Sequence, residues 1–267
     1  MAQITISAPV IAALIFSVAA LVIAPLAALI VLCIKKKLSF IPVLLGAAAF
    51  TVSQIILRIP IMQVLGTQSW YQQFASYSPV LYIILIGGLS AGLFEESARY
   101  IGGRILREKR SYQDAVSFGL GHGICEVLIL VGANSVAVLI YAVMINTGNF
   151  ELVLEPLPQE TQELLLSQMA SITAEALLAG VLERVFAVTF HVFATVLIFK
   201  GINEHKIRNY FYAIGAHTLL NSMTVLVLQL SGNIWLCELA AFTVALPAFT
   251  YIIKIRDSYE ESWQKSH

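Results

Sequence analysis

Long apolar runs dominate the chain, and short polar stretches separate each run from the next. Seven runs are long enough to cross the roughly 30 Å hydrocarbon core of a membrane. Their approximate limits are 7–33, 39–58, 79–101, 114–146, 174–199, 209–229 and 234–254. The pattern predicts an all-α, polytopic membrane helical bundle of about seven transmembrane helices. The fourth run is the longest, and a break near Gly132 would raise the count to eight.

The composition supports a membrane location. Hydrophobic residues make up 58% of the 267 residues and charged residues 12%, and the mean hydropathy is +0.82. A soluble domain of this size could not cover so much apolar surface, and a net charge of zero gives no reason to expect a nucleic-acid partner. We expect one integral-membrane domain over residues 1–255, with the lipid bilayer of a bacterial cytoplasmic membrane around it, and a polar cytoplasmic tail over 256–267.

The basic residues are segregated to alternate connections between the runs. Thirteen of the sixteen Lys and Arg residues follow the first, third, fifth and seventh runs. They are Lys35, Lys36, Lys37, Arg104, Arg107, Lys109, Arg110, Lys200, Lys206, Arg208, Lys254, Arg256 and Lys265. Because cytoplasmic connections carry an excess of Lys and Arg, the distribution predicts an external N-terminus and a cytoplasmic C-terminus.

Four of the runs carry a titratable residue about nine positions inside the nearest basic cluster. These residues are Glu95, next to Glu96, and His122, His191 and His217. Nine helical residues span roughly 13 Å, so the four groups are expected at one depth in the membrane. Titratable groups are costly in hydrocarbon, and several at one depth indicate a functional cluster that faces the bundle interior.

In the third run, two adjacent carboxyl groups lie close to a guanidinium group. Arg99 is four residues after Glu95 and three after Glu96, so it can pair with either one and leave the other free. A free buried carboxyl is suited to general-base chemistry. The alternative is a structural salt bridge that joins two helices, although a single bridge does not explain a doubled Glu.

The other runs add imidazole and amide groups. His122 and Glu126 are spaced i,i+4, so their pairing would orient the imidazole, and His217 and Asn221 share the same spacing. Asn221 could donate to an oxyanion or link two helices. His191 could serve the chemistry or bond a backbone carbonyl. The three glycines around His122, at positions 119, 121 and 123, favour close helix packing over the approach of an extended peptide.

Taken together, Glu-Glu-x-x-Arg, Phe-x-x-x-His and His-x-x-x-Asn on successive runs resemble the YhfC-type membrane peptidases. That group is similar to the glutamic-type intramembrane proteases, which include the CAAX prenyl endopeptidases (Abi) and the PrsW proteases, and the resemblance covers most of the chain. It implies an intramembrane endopeptidase in which Glu95, assisted by His122, activates a water molecule. His217 and Asn221 would stabilise the oxyanion, and no cofactor would be needed.

The resemblance also implies that Glu96 and Arg99 support the site. The chain departs from the CAAX pattern because two residues, not three, separate Glu96 from Arg99. It also has Glu126 and His191 as additional polar groups. The expected substrate is a membrane-associated protein or peptide, cleaved near the cytoplasmic face.

Two other functions fit the same residues. A zinc-dependent intramembrane metalloprotease could use His122, His191 and His217 with Glu95 as its ligands, although the chain lacks a His-Glu-x-x-His motif. A non-enzymatic protein, either a proton-coupled transporter or a membrane scaffold, could also place acids and histidines inside a bundle.

Overall fold

A computed structural model describes residues 4–265, and this part of the chain is helical, with no strand. Ten helices are found in this range. They are α1 (Ala8–Ile34), α2 (Phe40–Gly66), α3 (Ser69–Tyr77), α4 (Pro79–Ile105), α5 (Tyr112–Asn146), α6 (Glu151–Leu154), α7 (Gln159–Ser171), α8 (Ala174–Asn203), α9 (Arg208–Ser231) and α10 (Ile234–Lys265). Seven of them are long and apolar enough to cross a membrane, so the predicted all-α fold with seven spans is confirmed.

Three boundaries differ from those expected. Helix α5 runs without a break from Tyr112 to Asn146, so the eighth span is not formed. Helix α2 continues beyond Arg58 to Gly66. Helix α10 continues to Lys265 and includes most of the polar tail predicted at 256–267, whose last two residues lie outside the described range. Polar residues such as those at the end of α10 can extend a helix beyond the apolar part that defines a span.

Helices α1 and α2 share one irregularity that explains why proline does not end them. A π-helical segment occupies Ala19–Ile23, two residues before Pro25, and another occupies Thr51–Arg58, two residues before Pro60. Proline in a regular α-helix clashes with the preceding turn. A π-helical turn is wider, because its hydrogen bonds span five residues, so it gives the ring more room. Helices α4 and α5 contain further π-helical segments, at Ile83–Leu89 and Val127–Gly132.

The chain forms two compact units. The smaller unit contains the described residues up to Ala28 together with Val127–Arg184. Helix α1 packs against α5 in this unit, around a core that includes Leu14 and Ala142. The side-chain amide of Asn146 accepts from the Ile6 nitrogen and donates to the Ile6 oxygen, both at 2.8 Å.

The larger unit contains Leu29–Glu126 and the residues from Val185 onward. Its core includes Phe118, Phe190 and Phe199, which are fully buried. Helix α2 packs closely along α5, and α9 packs against α4 and α10. The single domain expected over residues 1–255 stays a prediction.

Glycine residues allow the helices of the larger unit to approach closely. A Cβ atom at Gly121 would collide with the backbone of Val43 in α2. One at Gly119 would lie 2.6 Å from the Val192 Cα atom, and one at Gly123 would lie 3.2 Å from the Val188 Cα atom, both in α8. Neighbouring helices therefore fill the space around all three glycines, as the packing interpretation predicted.

Candidate active site

Three imidazole rings converge on one buried carboxylate in the larger unit. Glu95 in α4 has one oxygen, Oε2, 3.0 Å from His122 Nε2 and 3.8 Å from His191 Nδ1. Its other oxygen, Oε1, is 3.7 Å from His217 Nε2. All four residues are at most 5% exposed. The groups that the sequence placed at one depth, on α4, α5, α8 and α9, therefore form one cluster, which we call the Glu95 cluster.

Glu96 has different partners from Glu95. It forms an ion pair with Arg99, and both side chains are completely buried. Its other oxygen, Oε1, is 2.7 Å from His217 Nδ1. Since a carboxylate paired with Arg accepts hydrogen bonds, His217 donates through Nδ1 and leaves Nε2 toward Glu95. The sequence predicted that Arg99 would pair with one of the two carboxyl groups and leave the other without an arginine partner. Arg99 pairs with Glu96, so Glu95 is the residue that it leaves.

His191 is held at both ring nitrogens. Arg99 Nη2 lies 3.0 Å from Nδ1, and Glu126 Oε2 lies 2.6 Å from Nε2. A guanidinium group can only donate, so Nδ1 accepts and Nε2 carries the proton that faces Glu126. The expected pairing of Glu126 with His122 on its own helix is wrong. His122 instead contacts Glu95, and its buried Nδ1 atom has no hydrogen-bond partner among residues 4–265.

Two residues that sequence reasoning missed complete the surroundings of Glu95. Gln54 Nε2 donates to Glu95 Oε1 at 2.9 Å, and Arg58 Nη1 donates to Gln54 Oε1 at 3.2 Å. Gln54 is 3% exposed. The available signal was their i,i+4 spacing inside an apolar run, but an uncharged Gln and an Arg at the expected helix end did not stand out.

Asn221 does not join the Glu95 cluster. It lies one helical turn beyond His217 in α9 and is partly buried. Within residues 4–265 its side chain makes no hydrogen bond; only its backbone oxygen is used, by the Thr224 hydroxyl group. A turn of α-helix rises 5.4 Å, which displaces Asn221 along the axis from the depth shared by the other groups. Its predicted role at an oxyanion stays a prediction.

The donor atoms of the cluster fit a divalent metal ion. Glu95, His122 and His191 each offer a ligand atom, and the three atoms lie within 4.8 Å of one another. Two histidines and a glutamate form one of the ligand sets of catalytic zinc sites. Glu126 also holds the outer nitrogen of His191, as carboxylates do for metal-binding histidines.

Comparison with known proteins identifies the family. The family described as YhfC intramembrane metalloprotease matches residues 18–241. The chain is also 29% identical over 150 residues to "Uncharacterized membrane protein YhfC" from Bacillus subtilis (strain 168). That alignment covers 55% of this chain and 57% of the relative, so the similarity spans little more than half of either protein. No solved structure matches the chain.

The match includes every residue of the Glu95 cluster and its surroundings. The expectation of a site without a cofactor is not supported, because the family description specifies a metalloprotease and the cluster could hold a metal. The similarity to the CAAX and PrsW proteases stays a prediction, whereas the predicted integral-membrane localisation is confirmed by the family and the seven apolar helices. The chain belongs to the YhfC intramembrane metalloprotease family.

Proposed function

We propose that this protein is a metal-dependent intramembrane endopeptidase, and that zinc is the metal. The observation that supports the proposal best is the convergence of three imidazole nitrogens on the buried Glu95 carboxylate, at 3.0, 3.7 and 3.8 Å. A structural salt bridge needs no such arrangement, because Arg99 already pairs with Glu96. The family description supports the same reaction class.

Glu95, His122 and His191 are the residues that would hold the metal. Zinc in such a site supplies a Lewis acid that makes a bound water molecule acidic near neutral pH and polarises a peptide carbonyl. His122 and His191 contribute neutral imidazole nitrogens. Glu126 keeps the His191 proton on the outer nitrogen, so Nδ1 keeps a lone pair, which accepts from Arg99 in this structure and would bind the metal in its place.

His217 would transfer the proton in this proposal. Its Nδ1–H group is held by Glu96, so the Nε2 atom faces the Glu95 cluster. From this position, in the neutral ring, Nε2 can accept a proton from water and return it to the amine that leaves. The ion pair between Glu96 and Arg99 keeps Glu96 in the carboxylate form that orients His217.

The substrate class follows from the location of the site. A buried cluster within membrane-spanning helices gives access to membrane-associated proteins or peptides. The distribution of Lys and Arg in the sequence favours cleavage near the cytoplasmic face, where a polar cavity would need to admit water over roughly 13 Å. Nucleic acid has no part in this proposal.

The test combines zinc analysis with the mapping of cleavage products. Purified full-length protein should contain about one zinc ion per chain, and Glu95→Gln should lose it. Membrane proteins from cells that carry the wild type should show new termini, detected by mass spectrometry, that are absent from cells with Glu95→Gln. Glu151→Gln is the matched control, because Glu151 is exposed in α6 and belongs to the smaller unit.

Each outcome has a defined meaning. Chelation should abolish cleavage by the wild type, and added zinc should restore it. Cleavage that persists without metal but requires Glu95 would contradict the metal assignment and support proteolysis. Identical termini with the wild type and Glu95→Gln would contradict the endopeptidase, and ion or solute flux in liposomes would then support a transporter.

A metal-free, glutamic-type endopeptidase is the second candidate. The contact that favours it is the 3.0 Å approach of His122 Nε2 to Glu95 Oε2, a pair that could activate water by itself. The resemblance assigned Asn221 to the oxyanion, but its side chain makes no hydrogen bond to the cluster in the described part of the chain. Chelator-resistant cleavage distinguishes this candidate from the zinc enzyme.

A further inference from the structure

Gln54 and Arg58 extend the site from α4 into α2. We infer that Gln54 is a positioning residue that fixes the orientation of the Glu95 carboxylate, and that Arg58 acts through Gln54. This inference rests on the proposed function, because it concerns a residue that would hold the metal. Neither residue belongs to the Glu-Glu-x-x-Arg, Phe-x-x-x-His or His-x-x-x-Asn motifs.

The hydrogen bonds determine which way the Gln54 amide points. Arg58 has donors only, so the Gln54 atom that it contacts at 3.2 Å must be the oxygen. The NH₂ group of the same amide must then face Glu95 Oε1, at 2.9 Å. This assignment does not depend on distinguishing the amide oxygen from the nitrogen. Gln54 therefore donates, and Glu95 Oε1 accepts.

Arg58 is itself fixed by acceptors on α4. Its Nε atom donates to Ser90 Oγ at 2.9 Å, and its Nη2 atom donates to the Ile86 carbonyl oxygen at 2.8 Å. Ile86 lies in the π-helical segment Ile83–Leu89, and Arg58 ends the segment Thr51–Arg58. The irregular turns of two neighbouring helices thus hold one guanidinium group, and π-helical turns are common at functional sites.

The consequence for Glu95 is that its two oxygens have separate tasks. Gln54 occupies Oε1, while Oε2 faces His122 and His191, the other residues that would hold the metal. Glu96 shows the contrast, because Arg99 pairs with it directly. A neutral amide can hold one oxygen of Glu95 without adding a second cation beside the metal position, where Arg99 already lies 3.0 Å from His191 Nδ1.

Zinc affinity tests the inference with a measurement that is independent of cleavage. Zn²⁺ is titrated into the detergent-solubilised full-length protein in competition with a chromophoric chelator. Gln54→Leu should bind zinc about 10- to 100-fold more weakly than the wild type, as is typical when an outer partner of a metal ligand is lost. Ser53→Ala is the matched control and should bind normally, because Ser53 is buried in the same segment and bonds only the Phe50 carbonyl of its own helix.

A double variant separates positioning from general destabilisation. Arg58→Leu should weaken zinc binding by a smaller factor, because the Gln54 amide is then free to rotate. The double variant, Arg58→Leu with Gln54→Leu, should bind zinc as tightly as Gln54→Leu alone, since Arg58 acts through Gln54. Thermal unfolding in the same detergent reports folding. If Gln54→Leu does not fold, the zinc affinity of Arg58→Leu becomes the test. Normal zinc affinity in that variant overturns the inference.

The remaining outcomes distinguish the two proposals. A wild type that binds no zinc overturns the metal assignment and this inference with it. A wild type that binds zinc, with Gln54→Leu equal to Ser53→Ala, overturns the inference alone. Losses that add in the double variant also overturn it, because they would show that Arg58 acts independently of Gln54.

Discussion

A histidine ring can present only one nitrogen to a reacting group, and the partner of the other nitrogen decides which one. Glu126 holds Nε2 of His191, and Glu96 holds Nδ1 of His217. The two rings are therefore oriented by different carboxylates, and each has its other nitrogen within 4 Å of a Glu95 oxygen. This explains why a membrane helix retains an acid such as Glu126 close to the cluster.

Replacing Glu126 should weaken the site without removing a group that would hold the metal. In Glu126→Gln the amide can offer its NH₂ group to His191, which would favour the wrong tautomer for metal binding. We expect zinc affinity to fall by about 10- to 100-fold, measured by chelator competition. Glu151→Gln should bind zinc normally. Equal affinities in the two variants would show that Glu126 does not orient His191.

The sequence predicted the members of the cluster better than their pairings. Depth in the membrane can be counted from the basic clusters, which is sufficient to find Glu95, His122, His191 and His217. The predicted partner of Glu126 was wrong because the i,i+4 rule considers contacts within one helix. The observed partner, the His191 ring, belongs to a different helix, α8.

Close packing between α2 and α5 depends on glycine at the contact. A Cβ atom at Gly121 would collide with the Val43 backbone, and one at Gly46 would collide with the Phe118 carbonyl oxygen. Backbone atoms cannot rotate away as a side chain can, so the two helices would have to separate. His122 on α5 and Gln54 on α2 both contact Glu95, so separation would lengthen at least one of these contacts.

Substitution of Gly121 should therefore lower both stability and zinc affinity. Gly121→Ala is expected to cost about 1–3 kcal/mol, the usual range for overpacking, and to lower the unfolding temperature in detergent. Gly215→Ala in α9 is the matched control, because no neighbouring atom lies within 4 Å of the added Cβ. There the change should be neutral or stabilising, by up to about 1 kcal/mol. Equal unfolding temperatures in the two variants would contradict the packing argument.

Helix boundaries show how far a local pattern can be trusted. The second apolar run was expected to end at residue 58, yet α2 continues through Pro60 to Gly66. The π-helical segment before the proline has no signature in hydrophobic periodicity, so the sequence could not reveal that the helix would tolerate Pro60. The same segment places Gln54 and Arg58 within the membrane span.

For the molecule as a whole, the depth of a residue in the membrane can be predicted from the sequence. Length and hydropathy determine how many helices cross, and counting residues gives depth, so the fold class and the shared depth followed from the sequence. Rotation and neighbours are set by packing, which sequence periodicity does not specify. Gly88 and Gly92 illustrate this point: they face Thr218 and Ile214 on α9, a neighbour that the periodicity of the third run does not specify.

Orientation across the membrane is the remaining prediction about the whole chain, and it decides on which side cleavage occurs. The Lys and Arg distribution predicts that Gln73 and Gln159 face the outside, and that Lys37 and Glu108 face the cytoplasm. All four side chains are exposed. In a chain with Cys33, Cys125 and Cys237 replaced by Ser, single substitutions to Cys at these positions can be labelled with a membrane-impermeant maleimide. Gln73→Cys and Gln159→Cys should react in intact cells, whereas Lys37→Cys and Glu108→Cys should react only after the membrane is opened. The reverse pattern would move the proposed cleavage to the external face, because Glu95, His191 and His217 each lie nine residues from a basic cluster whichever side that cluster faces.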